Sequence, residues 1–142
     1  MIKNEKQYRI TQKQAERFRQ AIAKLGSPNA GENPVLFKAQ KDALNSQLEE
    51  LEEQLQEYRK LTSGKSHVFK AESLAELAHS LIRARIAEGL TQKDLADRLG
   101  LKEQQVQRYE ATDYQSASLS RLVEVGEALG LTVTTSVRAP ER

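Results

Sequence analysis

Residues 102–108 read Lys-Glu-Gln-Gln-Val-Gln-Arg, and the chemistry such residues can perform is hydrogen bonding to base edges. On an α-helix each residue turns by about 100°. With Val106 facing inward, Gln104 and Arg108 lie about 160° and 200° away and point outward, flanked by Gln105 and Gln107. A Gln amide sets a donor beside an acceptor, which fits N6 and N7 of adenine. The Arg fork fits O6 and N7 of guanine. Glu103, at the start of the same helix, can accept from cytosine N4 and repel a misplaced phosphate. The reading edge is therefore Gln104, Gln105 and Arg108, with Glu103 beside it. On an ordinary surface helix a Gln-rich face is only solvated, so this assignment depends on the frame around it.

That frame is legible. Thr91 precedes a short apolar-periodic stretch containing Leu95, Ala96 and Leu99, and Gly100 ends it after about two turns. A second helix begins around Lys102. Two short helices joined by a Gly-containing turn make a helix-turn-helix unit. The small residues have physical roles. Ala96 sits where the helices cross, and Gly100 supplies a left-handed turn without a Cβ clash. Val106 and Tyr109 point back to the core. Counting from Gln92, Ala lies four residues on, Gly eight on and Val fourteen on.

These residues resemble the lambda-repressor/Cro-type helix-turn-helix, the Xre family. The resemblance rests on Leu90-Thr91-Gln92, Leu95-Ala96, Leu99-Gly100, Val106 and Glu110, and then on Ser118-Leu119, Leu122, Val125 and Ala128-Leu129-Gly130. It covers about residues 73–131. It implies a five-helix-type domain that binds double-stranded DNA, and a DNA role for Gln92 and Lys102, with Gln92 donating to a phosphate and buttressing the second helix. One stretch departs from the pattern. Glu110 is followed by Ala111-Thr112-Asp113-Tyr114-Gln115-Ser116-Ala117 instead of a short Asn-Gly-type turn. Tyr114, Ser116 and Ser118 are possible phosphate donors there, and Ser118 serves equally as an N-cap.

The elements around this unit follow from periodicity. Ser73 caps a helix over 72–88 whose apolar face is Leu74, Leu77, Ala78, Leu81 and Ala84. Earlier, residues 1–10 read as an extended arm. Thr11 and Gln14 have capping-box spacing ahead of Ala15, Phe18, Ile22 and Leu25, giving a helix over 11–25 that stops at Gly26-Ser27-Pro28. Asn33 and Pro34 open a longer helix to Leu61 with the series Phe37, Leu44, Leu48, Leu51, Leu55 and Tyr58. Its 4-3-4-3 spacing is a coiled-coil seam, interrupted by Lys41. The seam has two compatible uses: a hairpin inside the chain, guided by basic residues of the first helix (Lys13, Arg17, Arg19, Lys24) against Glu49, Glu50, Glu52, Glu53 and Glu57, or pairing with a second copy. Residues 62–71 form the linker. The tail, Leu131 to Val137, alternates like a β-strand, but one strand cannot stand alone, so pairing with another subunit is a second route to a dimer. The expected architecture is all-α: a helical hairpin or coiled coil over 1–61 for oligomerisation or partner binding, a DNA-binding domain over 72–137, and a short C-terminal strand.

Composition narrows the remaining classes. There is no Cys in the 142 residues, which excludes disulfides and thiolate metal sites. His67 and His79 stand alone, without the neighbours a metal or catalytic site needs. No metal, cofactor or enzymatic activity is expected. The start lacks the apolar run of a signal peptide, and no segment has a membrane span's length, so a soluble cytoplasmic protein is expected. Charge is uneven: residues 1–33 hold seven Lys/Arg against three Glu, residues 34–60 four against six acids, and residues 61–142 eleven of each. A DNA-binding domain without net charge must gather its cations on one face. The expected function is a homodimeric, sequence-specific transcriptional regulator, a repressor reading an inverted repeat. The alternative implied by the resemblance is a HigA-like antitoxin, which binds a toxin protein and regulates its own operon.

Overall fold

Asn4 starts the first helix, α1 (Glu5–Leu25), by accepting a hydrogen bond from the Gln7 backbone N–H at 2.8 Å. In the computed structural model, which describes residues 1–65 and 67–142, α1 is therefore longer than the stretch that begins at Thr11. The expected arm over 1–10 is wrong for a physical reason. Asn4 is as good a cap as Thr11, and the added turns carry Tyr8 onto the next helix, where its ring stacks on Tyr58 at 4.9 Å. Thr11 caps nothing: it is buried, and its hydroxyl donates to the Gln7 carbonyl one turn back at 2.8 Å.

The second helix, α2 (Pro34–Leu61), is capped as expected. The Asn33 side chain accepts from the Val35 and Leu36 N–H groups, and Pro34 sits in the first turn. Its seam packs against α1. Ile2, Ala15 and Leu55 are the buried centre, with Tyr8, Leu48, Leu51 and Tyr58 against it. The Leu seam is thus satisfied within the chain. Opposite charge guides this pairing less than expected: Arg19 reaches Glu52 at 3.0 Å, whereas Lys13, Arg17 and Lys24 face solvent.

The chain divides into two compact units, Met1–Ser63 and Gly64–Arg142. Ser66, within the expected linker, lies outside the described residues. The second unit holds α3 (Leu74–Ala87), α4 (Gln92–Leu99), α5 (Glu103–Ala111) and α6 (Leu119–Ala128). Ser73 caps α3, accepting from the Glu76 N–H at 3.1 Å. The buried face of α3 is Ala78, Leu81, Ile82, Ala84 and Ile86, with Arg85 among them. Leu74, expected on that face, is 79 % exposed, since it precedes the first turn that meets the core. α4 packs on both α5 and α6, and α3 packs on α6.

Two features of the expected domain are absent. Its described residues form four helices instead of five, and they form no strand: the tail from Leu131 onward has no ladder. Val133 and Val137 are exposed. Alternation alone does not make a strand, because its backbone groups need a partner that this unit does not offer.

Candidate nucleic-acid interface

The frame is set at three helix ends. Thr91 and Asp94 form a reciprocal capping box: the Thr91 hydroxyl accepts from the Asp94 N–H at 3.0 Å, and the Asp94 carboxylate accepts from the Thr91 N–H at 2.9 Å. That backbone bond, with the Thr91 hydroxyl second, holds the Asp94 carboxyl below the usual carboxylate range. At the turn Gly100 adopts φ 69° and ψ 28°, the left-handed geometry that favours Gly. The Leu101 N–H then reaches the Ala96 carbonyl at 2.8 Å, which closes α4 tightly enough for α5 to start three residues later. Lys102 precedes α5 without an acceptor to cap it. Only the return bond forms, from the Lys102 N–H to Gln105 Oε1 at 3.0 Å.

Leu95, Ala96 and Val106 are each completely buried where α4 crosses α5. Because Val106 is inside, the residues two before and two after it face out. Gln104 and Arg108 are exposed, and neither side chain makes a hydrogen bond or ion pair with the described residues. Both are thus free to meet a ligand. Lys102 is exposed beside them. The other expected contacts are placed differently. Gln105 is tied to the helix start as above, and Glu103 accepts from Gln107 Nε2 at 3.4 Å, one turn on.

Gln92 is 6 % exposed, and its amide donates to Glu110 Oε1 at 3.0 Å. It therefore buttresses α5 from inside. Its partner belongs to a network that sequence reasoning missed. Arg85 on α3 donates to Glu110 through Nε at 2.6 Å and Nη2 at 2.7 Å, and through Nη1 to the Leu90 carbonyl at 2.7 Å. Arg85 is 2 % exposed and Glu110 fully buried. A signal for it does exist in the sequence. Arg85 lies four residues after Leu81, on the stripe that must be buried, and a buried guanidinium requires a carboxylate.

The loop that departs from the family pattern folds over this network. Asp113 and Tyr114 both take positive φ, 50° and 59°, which for a Tyr is strained backbone. Tyr114 is only 3 % exposed, and its ring stacks on Tyr109 at 5.7 Å. Burial, and then the charge of Glu110, push its phenol well above the usual range for Tyr. Tyr114 is thus a core residue, and the expectation that it donates to phosphate is corrected. Ser118 acts as the N-cap of α6, accepting from the Arg121 N–H at 3.1 Å. Arg98 Nη1 reaches the Ala128 carbonyl at 2.9 Å and fastens α4 to the end of α6. His67 stacks on Phe69, and no group of three metal-ligating side chains occurs among the described residues. No helix among them is long and apolar enough to cross a membrane.

Residues 81–135 match the family model described as Helix-turn-helix. The match runs from the middle of α3 through α4, α5 and α6 into the tail. No curated protein and no solved structure matches the chain.

Proposed function

We propose that this chain, whose C-terminal unit is a helix-turn-helix domain of the lambda-repressor/Cro (Xre) type, is a homodimeric repressor that reads an inverted repeat in double-stranded DNA through α5. The supporting observation is the pair Gln104 and Arg108: exposed, unengaged, and held outward by the burial of Val106. Gln104 reads adenine and Arg108 reads guanine in the major groove. Lys102 meets a phosphate, and Glu103 sets the approach of the helix start. Gln92 acts from below by holding Glu110, and Gln105 by holding the first turn of α5.

The charge balance of the C-terminal unit favours a dimer. Residues 61–142 carry eleven cations and eleven acids, so a single unit gains little from the phosphate backbone. Two copies would set their recognition helices about 34 Å apart, one DNA turn. The open apolar groove between α3 and α6, lined by Leu77, Leu119, Leu122, Val123, Leu131 and Val133, is the surface that favours self-association. Selection of bound sequences from random DNA tests the proposal. A palindromic consensus supports it. No enrichment, or a consensus unchanged by Arg108→Ala, defeats it.

The antitoxin reading has its own favouring observation. Val35 and Leu36, at the start of α2, are 77 % and 60 % exposed, an apolar tip on the N-terminal hairpin that a toxin could cover. Purification from native cells without a stoichiometric protein partner counts against this second reading.

A further inference from the structure

The solvent face of α1 carries a line of cations. Lys6, Lys13, Arg17 and Lys24 fall within about 40° of one another around the helix and are all exposed. They lie opposite Tyr8, Ala15 and Ile22, on the side away from α2. The line runs over 18 residues of helix, about 27 Å. None of the four makes an ion pair with the described residues. The two carboxylates of α1 are already engaged, Glu5 with Arg9 at 3.3 Å and Glu16 with Arg19 at 3.2 Å. Lys24, in the last turn, complements the helix dipole, but Lys6 sits in the first turn, where a cation opposes it, so helix stability does not account for the whole line.

We infer that this stripe is a second nucleic-acid surface, which binds the phosphate backbone of duplex DNA without reading sequence. The chemistry of the face selects a polyanion over a protein. A helix that docks into a protein groove presents apolar anchors at i, i+3, i+4 and i+7. Here the only large apolar residue near the stripe is Ile10, at its edge and 47 % exposed, and the residues between the cations include Gln20. The stripe also supplies what the C-terminal unit lacks. That unit is neutral, while residues 1–33 carry seven cations and three acids. A linker around residue 64 keeps the stripe at high local concentration near any DNA that α5 holds.

The inference rests on DNA binding by the chain, but it concerns a different part of that binding. The test uses the full chain and the combined variant Lys6→Gln, Lys13→Gln, Arg17→Gln and Lys24→Gln. Gln is a good helix former, and circular dichroism checks that the hairpin persists. Affinity for a random-sequence duplex of about three turns is measured between about 50 and 200 mM salt. Each cation that meets a phosphate contributes about 0.9 to the slope of log affinity against log salt. With all four engaged, the wild type loses about 100-fold more affinity over that range than the variant. Equal slopes overturn the inference. So do equal slopes accompanied by loss of a co-purifying acidic protein, because the stripe then serves a protein. A stripe-dependent slope without any selected consensus upholds the stripe and defeats the reading role of α5. A consensus without a stripe-dependent slope does the reverse.

Discussion

Arg85 and Glu110, 25 residues apart in sequence, meet in the interior of the C-terminal unit through two charge-assisted hydrogen bonds of 2.6 and 2.7 Å. The pair joins α3 to the last turn of α5, and Gln92 adds α4 as a third member. None of its buried side-chain nitrogens or oxygens is left without a hydrogen-bond partner, which is the condition for a buried charge pair to be tolerated. Arg85→Ala should cost about 3–5 kcal/mol, because it leaves a carboxylate buried without its counter-charge. Urea unfolding of the C-terminal transition measures this. A loss under about 1 kcal/mol, the range of an exposed pair, would show that the pair is open to water in solution.

The helix-turn-helix was readable because its signals are local. Thr91, Ala96, Gly100 and Val106 each have one backbone or packing role, and all four occupy the expected places. The Arg85–Glu110 bond was not readable in this way, since its partners lie on different helices and periodicity says nothing about which charges meet. The start of α1 failed for another reason: two capping residues, Asn4 and Thr11, compete, and tertiary contact of Tyr8 with Tyr58 decides between them. The tail failed because strand formation depends on a partner that no local pattern supplies. Around α5 the outward direction of residues was correct, but side-chain bonds between neighbours redistributed their roles. Gln105 looked like a reader and is engaged as a cap.

That redistribution separates two kinds of variant. Gln104→Ala and Arg108→Ala should each weaken binding to the selected sequence by about 1–3 kcal/mol while leaving the melting temperature unchanged. Gln105→Ala should do the opposite. It removes the return bond to the Lys102 N–H and lowers stability by about 0.5–1.5 kcal/mol, with base preference retained. Competition binding against single-base variants of the site, alongside thermal melts, distinguishes them. Relaxed base preference in Gln105→Ala would return it to the reading edge.

Tyr114 links burial of the loop to alkaline pH. Its phenol titrates above the ordinary value of 10.0, first because of burial. The folded state therefore holds this proton after the unfolded chain has released it. Stability from this group is complete below pH 10 and declines as pH rises above it. Tyr114→Phe has no proton to lose. The stability difference between wild type and Tyr114→Phe should be constant from neutrality to about pH 9.5 and then shift in favour of the Phe variant. A difference that stays flat through pH 11 would mean that the ring is solvated.

Asp94 should show the mirror-image behaviour at acid pH. Its carboxyl is held below the ordinary value of 3.8, first by the Thr91 backbone N–H and then by the Thr91 hydroxyl. A depressed folded value means that the contribution is complete above pH 3.8 and is lost as pH falls through the folded value. Asp94→Ala removes the accepting carboxylate, so wild type should melt higher than the variant at neutral pH, and the two curves should converge as the carboxylate protonates. Thr91→Ala removes the other half of the box and should cost about 1 kcal/mol at neutral pH. Because the cap fixes the start of α4, and α4 carries Gln92 to Glu110, the same variant should also weaken DNA binding without changing which bases are preferred. Loss of preference in Thr91→Ala would mean that the cap sets the orientation of Gln104 and Arg108 as well as the stability of the helix beneath them.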